Sequence, residues 1–151
     1  MTGIVVGVDG SPGSRRALEW AAEEARLRRV PLRLVHAWYP PVGLYGGIGL
    51  AGLDGETIRG FGELAEQRLA TACDQAAASL EGLEVERVVV EDVAAHALIA
   101  AAADADLLVV GTRGHGGFAG LLLGSVSQQC AHHSPCPIVI VRSTPDADHD
   151  Q

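Results

Sequence analysis

Aromatic side chains are scarce in this chain, only 4% of 151 residues, and the apolar 48% is mostly Ala, Leu and Val. Such a composition suits Ala-rich helices packed closely on a sheet. Cysteine is sparse too: Cys73, Cys130 and Cys136 are odd in number and lack the spacing of a disulfide framework, so reduced thiols are expected. No apolar run approaches the ~20 residues of a membrane span, and the N-terminus has no basic region followed by an apolar stretch. The expectation is a soluble, cytoplasmic protein without a membrane partner. Basic charge is also short. Eleven Lys and Arg against nineteen Asp and Glu give a net charge of −8, which repels nucleic acid. The same charge opposes a triphosphate, so any nucleotide should come with a divalent metal ion.

Against these shortages stands a regular alternation of strands and helices. A chain of this length buries roughly 70% of its unfolded surface, enough for one domain with its own core. Ile4 to Val8 reads as the first strand. Ser11-Pro12 then opens a helix as N-cap and first residue, with Ala17, Leu18, Ala21, Ala22 and Ala25 on its inner face and Pro31 barring continuation. Leu32 to Ala37 is the second strand. Ile58, Phe61, Ala65, Leu69, Ala72, Ala76 and Leu80 mark one long amphipathic helix ended by Gly82. Val85 to Val90, Leu107 to Val110 and Ile138 to Val141 complete five strands; helices are expected at His96 to Ala103 and Ser125 to His133. Five strands with right-handed helical crossovers make a doubly wound, parallel α/β sheet with four helices, which binds ligands beyond the strand C-termini. The span from Trp38 to Gly55, rich in Gly and Pro, reads either as a lid or as an ordinary variable loop. Residues 144–151 form an acidic, polar tail expected to be disordered, after a single domain over 1–143.

Chemistry concentrates after the fourth strand. Gly111, Gly114, Gly116, Gly117, Gly120 and Gly124 crowd one loop, where missing Cβ atoms let backbone N–H groups approach a ligand. Gly124-Ser125-Val126 then opens a helix whose free N–H groups and positive dipole end face the same space, an arrangement that holds phosphate. This is not a Walker A loop, because no lysine follows the second glycine. Nor is it the dinucleotide fingerprint, since the turn after the first strand reads Gly7-Val8-Asp9-Gly10-Ser11-Pro12-Gly13. The competing interpretation of such a loop is a structural turn. Cys130, His132, His133 and Cys136 are rejected as a zinc site, because two fall a helical turn apart and no second cluster completes four-coordination. No nucleophile elbow or activated base is present.

The spacing Gly111-x-x-Gly114, nine residues, Gly124-Ser125 is the pattern Gly-x-x-Gly-(x9)-Gly-Ser/Thr. With Val109-Val110-Gly111-Thr112-Arg113-Gly114, Leu123-Gly124-Ser125-Val126-Ser127 and Cys136-Pro137-Ile138-Val139-Ile140-Val141-Arg142, it resembles the C-terminal third of the ATP-binding branch of the universal stress protein family. Ile4-Val5-Val6-Gly7-Val8-Asp9-Gly10-Ser11 resembles that family's opening. The resemblance implies a Rossmann-like, adenine nucleotide alpha hydrolase-like fold of strand order 3-2-1-4-5, and ATP as ligand with Mg2+ or Mn2+ held mainly by the phosphates. It implies phosphate and ribose contacts from Gly111, Gly114, Gly124, Ser125 and Val126. Asp9 would sit near ribose, phosphates or metal, and Gly7, Val8, Ala37 and Val110 would line the adenine and ribose pocket. Arg113 and His115 would reach the outer phosphates. A homodimer through Ile138 to Val141 and a regulatory protein partner are implied as well. Three functions stay open: an ATP-binding regulatory module with little or no hydrolysis, a slow ATPase or autophosphorylating enzyme, and a nucleotide-independent interaction protein. Related sequences often carry Gly or Pro near Glu91 to Ala94, and this chain has neither.

Overall fold

The computed structural model describes residues 3–39, 54–112 and 123–142. Strands β1 (Ile4–Gly7), β2 (Leu32–Trp38), β3 (Val85–Glu91), β4 (Leu107–Gly111) and β5 (Ile138–Val141) form one sheet of order β3-β2-β1-β4-β5, every pair parallel. The expected order is the observed one. Central β1 has Ile4, Val5 and Val6 without exposed surface, and Leu107 to Val110 are buried. Continuous apolar runs are what a parallel strand covered on both faces requires.

Helix α1 (Pro12–Arg28) starts at the N-cap Ser11, whose side chain accepts the Ser14 N–H. It stops at Arg29, which turns left-handed at φ 58° while its N–H reaches the carbonyls of Ala25 and Arg26. Ala17, Leu18, Ala21, Ala22 and Ala25 are buried on the sheet, as their helical spacing requires. α1 and α2 (Gly55–Gln75) cover the face that carries Ile4, Val6, Leu32, Leu34, Leu107 and Val109. On the opposite face α4 (Ala94–Ala101) and α5 (Ser125–His133) cover Val5, Val35, Leu108 and Val110. Alternate residues of every inner strand thus feed two separate cores, the outcome of a period-2 chain between two helical layers.

Two expectations need correcting. The long helix expected to run to Leu80 breaks at Ala76, giving α2 and a short α3 (Ala77–Leu80), so the described residues hold five helices where four were expected. Ala76 is 2% exposed, and seating it in the core turns the axis. Side chains of α1 meet carbonyls around it: Arg15 donates to that of Gln75 at the end of α2, and Arg26 to those of Ser79 and Glu81 at the end of α3. The fourth major helix begins at Ala94, two residues before His96, and ends at Ala101 in a 3-10 turn (Ala102–Asp104) that sinks Ala102 completely. Its start lacks the glycine or proline usual in related sequences; instead the Asp92 carboxylate accepts the Val93 N–H at 2.7 Å, and the Asp92 N–H donates to the Trp38 carbonyl at 2.8 Å. Gly82 does close this region, at φ 78°. Most of the loop Trp38 to Gly55, and the tail 144–151, lie outside the described residues.

Candidate functional site

β1 and β4 are neighbours, pairing Ile4 with Leu107 and Val6 with Val109. Continuing that register sets Asp9 level with Thr112, so the two turns singled out in the sequence leave the sheet side by side. The first turn is closed by three short polar side chains. Asp9 accepts the Ser11 N–H at 2.8 Å, Ser11 accepts the Ser14 N–H at 3.2 Å, and the Ser14 hydroxyl accepts the Asp9 N–H at 3.2 Å. Gly10 lies between them at φ 83°, a conformation that favours glycine. Asp9 thus caps its own turn, and this capping fixes where its carboxylate stands.

Val8 is clamped from β2 on both backbone groups: its N–H donates to Val35 at 2.9 Å, and its carbonyl lies 2.8 Å from Nδ1 of His36. A carbonyl only accepts, so Nδ1 carries the proton. Nε2 of His36 is buried without a hydrogen-bond partner among the described residues, and the residue is 6% exposed. His36 was not among the expected site residues. A lone histidine inside the apolar run Leu34-Val35-His36-Ala37-Trp38 is the signal that points to it.

Gly7, Ala37 and Val110 are brought together on the α4 face of the sheet. There a Cβ on Gly7 would stand 3.0 Å from Cδ1 of Leu98. Val8 does not join them. Its side chain belongs to the α1 face, 5% exposed among Ile4, Val6 and Leu34, so only its backbone adjoins that group.

The second turn begins at Gly111, where a Cβ would meet the carbonyl oxygen of Gly13 at 2.9 Å and its carbon at 3.0 Å. Both belong to the backbone of α1, so this glycine is demanded by close approach of helix and strand. Thr112, 7% exposed, ties the loop ends. Its N–H donates to Val141 at 3.1 Å, while its carbonyl accepts the Gly124 N–H at 2.7 Å and the Ser127 hydroxyl at 2.8 Å. Thr112 and Ser127 stand beside the motif residues in the sequence, yet their pinning role shows only in three dimensions. Gly124 is the N-cap of α5 at φ −76°, ψ 173°, and no side chain among the described residues caps the helix. Ser125 opens α5 exposed to solvent, and Val126 is half-buried against the α4 core. The first N–H groups of α5 and its positive dipole end thus emerge at the strand C-termini, beside the Asp9 turn. Arg113, Gly114 and His115 lie outside the described residues.

Residues 1–142 match the Universal stress protein family. The chain belongs to that family. A universal stress protein of Mycobacterium tuberculosis is 36% identical over 139 residues, covering 92% of this chain and 47% of its own length. One from Mycolicibacterium smegmatis is 35% identical over 153 residues, covering 98% and 50%. The chain therefore spans about half the length of the curated relatives it matches. Among solved structures, a universal stress protein in complex with cAMP is 31% identical, with TM-score 0.66 over 95% of this chain and 98% of its own. The Archaeoglobus fulgidus protein in complex with dAMP is 27% identical, with TM-score 0.67 over 93% and 98%.

Among the described residues no group of three or more His, Cys, Asp or Glu with metal-binding geometry occurs. Burial pushes the Cys130 thiol up to about 11, the reverse of what a thiolate ligand needs. Nor is any helix of the described residues long and apolar enough to cross a membrane.

Proposed function

We propose that the chain is a cytoplasmic, ATP-binding regulatory module of stress response that works as a homodimer and hydrolyses ATP slowly or not at all. The observation that carries the reading is the uncapped start of α5, held at the Asp9 turn by the Thr112–Gly124 hydrogen bond and preceded by the full Gly-x-x-Gly-x9-Gly-Ser spacing. Backbone donors at Ser125 and Val126 suit phosphate oxygens, while Gly124, its own N–H bonded to Thr112, contributes the absence of a side chain. The small residues Gly7 and Ala37, with Val110, leave an apolar wall for a base and ribose. Solved relatives at 31% and 27% identity hold cAMP and dAMP, which supports an adenine nucleotide at this edge.

The described residues supply no cage of carboxylates, so Mg2+ or Mn2+ would ride on the phosphates, with Asp9 the nearest carboxylate to assist. Gly111, Gly114, Arg113 and His115 complete the phosphate contacts in this reading. With no Walker lysine and no water-positioning group in the motif, turnover should be slow. Copies pair through the Ile138 to Val141 edge, and the nucleotide state is read by a regulatory protein partner. Slow ATPase or autophosphorylation remains the enzyme alternative; it predicts turnover that disappears on changing Asp9 or Ser125.

Two measurements test the reading. Denaturing freshly purified protein and identifying the released nucleotide by mass spectrometry should return ATP; ADP would favour turnover, and no nucleotide would favour an interaction protein. Titration of ATP with magnesium against unfolding should stabilise the chain by about 2.7 kcal/mol at ~100 times the dissociation constant. Gly124→Val fills the space before α5 at a φ that any residue adopts, so it should abolish that gain with the fold kept. Undiminished ATP affinity in this variant would refute the assigned site.

A further inference from the structure

The face of β2 that looks toward α1 and α2 carries Leu32, Leu34 and His36 in alternation. Leu32 and Leu34 have no exposed surface, and His36 has almost none. Two residues on, Trp38 meets α2: a Cβ on Gly62 would stand 3.1 Å from its Cζ2, so the helix covers this end of the strand. A histidine therefore stands where packing asks for an apolar side chain. Its Nδ1–H donates to the Val8 carbonyl, and its Nε2 finds no partner among the described residues. A buried acceptor left unpaired costs stability, and an apolar ring of similar size would fill the place without that cost. What the histidine alone supplies is the bond to Val8.

That bond acts where the sheet gives out. The β1–β2 register ends at Gly7 and Val35, and the Val8 N–H makes one more bond to Val35. The next peptide unit, joining Val8 to Asp9, is held at both ends by side chains. His36 takes its carbonyl from the sheet side, and the Ser14 hydroxyl takes its N–H from α1. Ser14 is buried as well, and its hydroxyl donates in turn to the Ser11 carbonyl at 3.2 Å. Once that peptide plane is set, the Cα of Asp9 has its place, and the bond from the Ser11 N–H fixes the carboxylate. Gly10 follows, the residue type that restrains a turn least, so the fixing falls to these bonds.

We propose that His36 is a positioning residue of the nucleotide site: gripping the Val8–Asp9 peptide from β2, it holds the Asp9 carboxylate where the metal-bound phosphates arrive at the start of α5. This rests on the reading that an adenine nucleotide and its metal bind at that edge with Asp9 assisting. His36 itself touches neither. It lies in the core between the sheet and α2 and acts only through the backbone of its neighbour on β1. A partner that orients a carboxylate beside a metal is worth about 10–100-fold in affinity. The unpartnered Nε2 is then the cost of placing one donor, Nδ1–H, inside an apolar layer.

The test sets calorimetric titration of ATP with magnesium chloride beside urea unfolding, on the full chain and the same variants. His36→Phe keeps the ring volume and removes the donor, so affinity should fall at least about tenfold with stability little changed. His36→Asn returns an amide N–H near the place of Nδ1 and empties the rest of the ring site, so it should unfold more easily yet bind nearly as the wild type does. A residue that serves packing alone cannot cross the two readouts in this way. In an Asp9→Asn chain, His36→Phe should cost no further affinity, because the group it holds is gone. Affinity that follows stability through both His36 variants, or a full further loss in the Asp9→Asn chain, would overturn the proposal and spare the nucleotide site. A wild-type chain that takes up no ATP would overturn both. Should His36→Phe fail to fold, nitrogen-15 NMR of the wild-type ring decides: Nδ1 should carry the proton, and that proton should exchange more slowly with ATP and magnesium bound. A proton on Nε2 alone, or exchange indifferent to ATP, would overturn the proposal.

Discussion

Gly111 offers a direct test of whether the glycine motif is partly a packing device. In Gly111→Ala the new methyl would stand 2.9 Å from the Gly13 carbonyl oxygen and 3.0 Å from its carbon. Both are backbone atoms in the first turn of α1, and that turn is held by the Ser11–Ser14 bonds. Neither swings aside as a side chain would, so β4 and α1 must separate by a few tenths of an ångström through the core between them. Forcing a methyl into such a site costs about 1–3 kcal/mol. Alanine returns about 0.4–1 kcal/mol by restricting the unfolded chain. The net expectation is a loss of about 1–2 kcal/mol, which for a chain of this size lowers Tm by about 2–8 °C. Gly60→Ala is the control. It sits within α2 with nothing near its added Cβ, and should stabilise by about 0.5–1 kcal/mol through helix propensity. Urea unfolding followed by circular dichroism measures both. A Gly111→Ala chain as stable as wild type, or one shifted the same way as Gly60→Ala, would refute the argument from close approach.

Other expectations follow from the same geometry. His36→Ala empties a buried ring site and should cost about 2–4 kcal/mol, whereas His36→Phe keeps the volume, removes the unpartnered Nε2 and should fall within about 1 kcal/mol of wild type. Equal damage in urea unfolding would mean that the bond to Val8, not the ring volume, holds the turn. Burial raises the thiol pKa values of Cys73 and Cys130, so Ellman's reagent should modify Cys136 alone in the native chain and all three after denaturation; fast reaction of two thiols would contradict the packing of α5. Because Cys130 holds its proton more tightly folded than unfolded, the stability it contributes is intact below its ordinary value of 9.0 and declines as pH rises to about 11; a Cys130→Ala chain should lack this component of the alkaline loss. The Asp92 carboxylate, bonded first to His96 and also to the Val93 N–H, has its pKa lowered. Its support for the start of α4 is present at neutral pH and lost as pH falls through that lowered pKa, which carboxyl NMR titration of wild type and His96→Ala should register as a rise in the variant.

The architecture was legible because each strand and helix declares itself locally. Ile4 to Val6 and Leu107 to Val110 are apolar without interruption, Ser11-Pro12 starts a helix by its own chemistry, and right-handed crossovers restrict how such units wind. Strand order was not local information; it came from the family resemblance. The break at Ala76 escaped notice for a related reason. Ala77 to Leu80 keep good helix formers, and only the seating of Ala76 against β-sheet residues, with Arg26 bonded to the Ser79 and Glu81 carbonyls, turns the axis. Val8 shows what a resemblance leaves open about a residue's side chain. The family resemblance placed it along the pocket; strand alternation sends its side chain to the opposite core, so any contact there falls to its backbone.

The motif glycines prove to be of different physical kinds. Gly111 is excluded from bearing a side chain by the backbone of α1, with or without any ligand. Gly124 is under no conformational demand at φ −76°, and its N–H is committed to Thr112. A protein that had given up nucleotide would still need the first glycine for packing. Gly124 with Ser125 after it, at the start of α5, is therefore the part of the motif on which the phosphate reading chiefly rests. The same reasoning separates the two variants by readout: Gly111→Ala should move stability first and affinity only through the displaced turn, whereas Gly124→Val should move affinity first. Equal losses of both quantities in both variants would mean that the loop acts as one folding unit, and that the spacing of its glycines records the architecture more than the ligand.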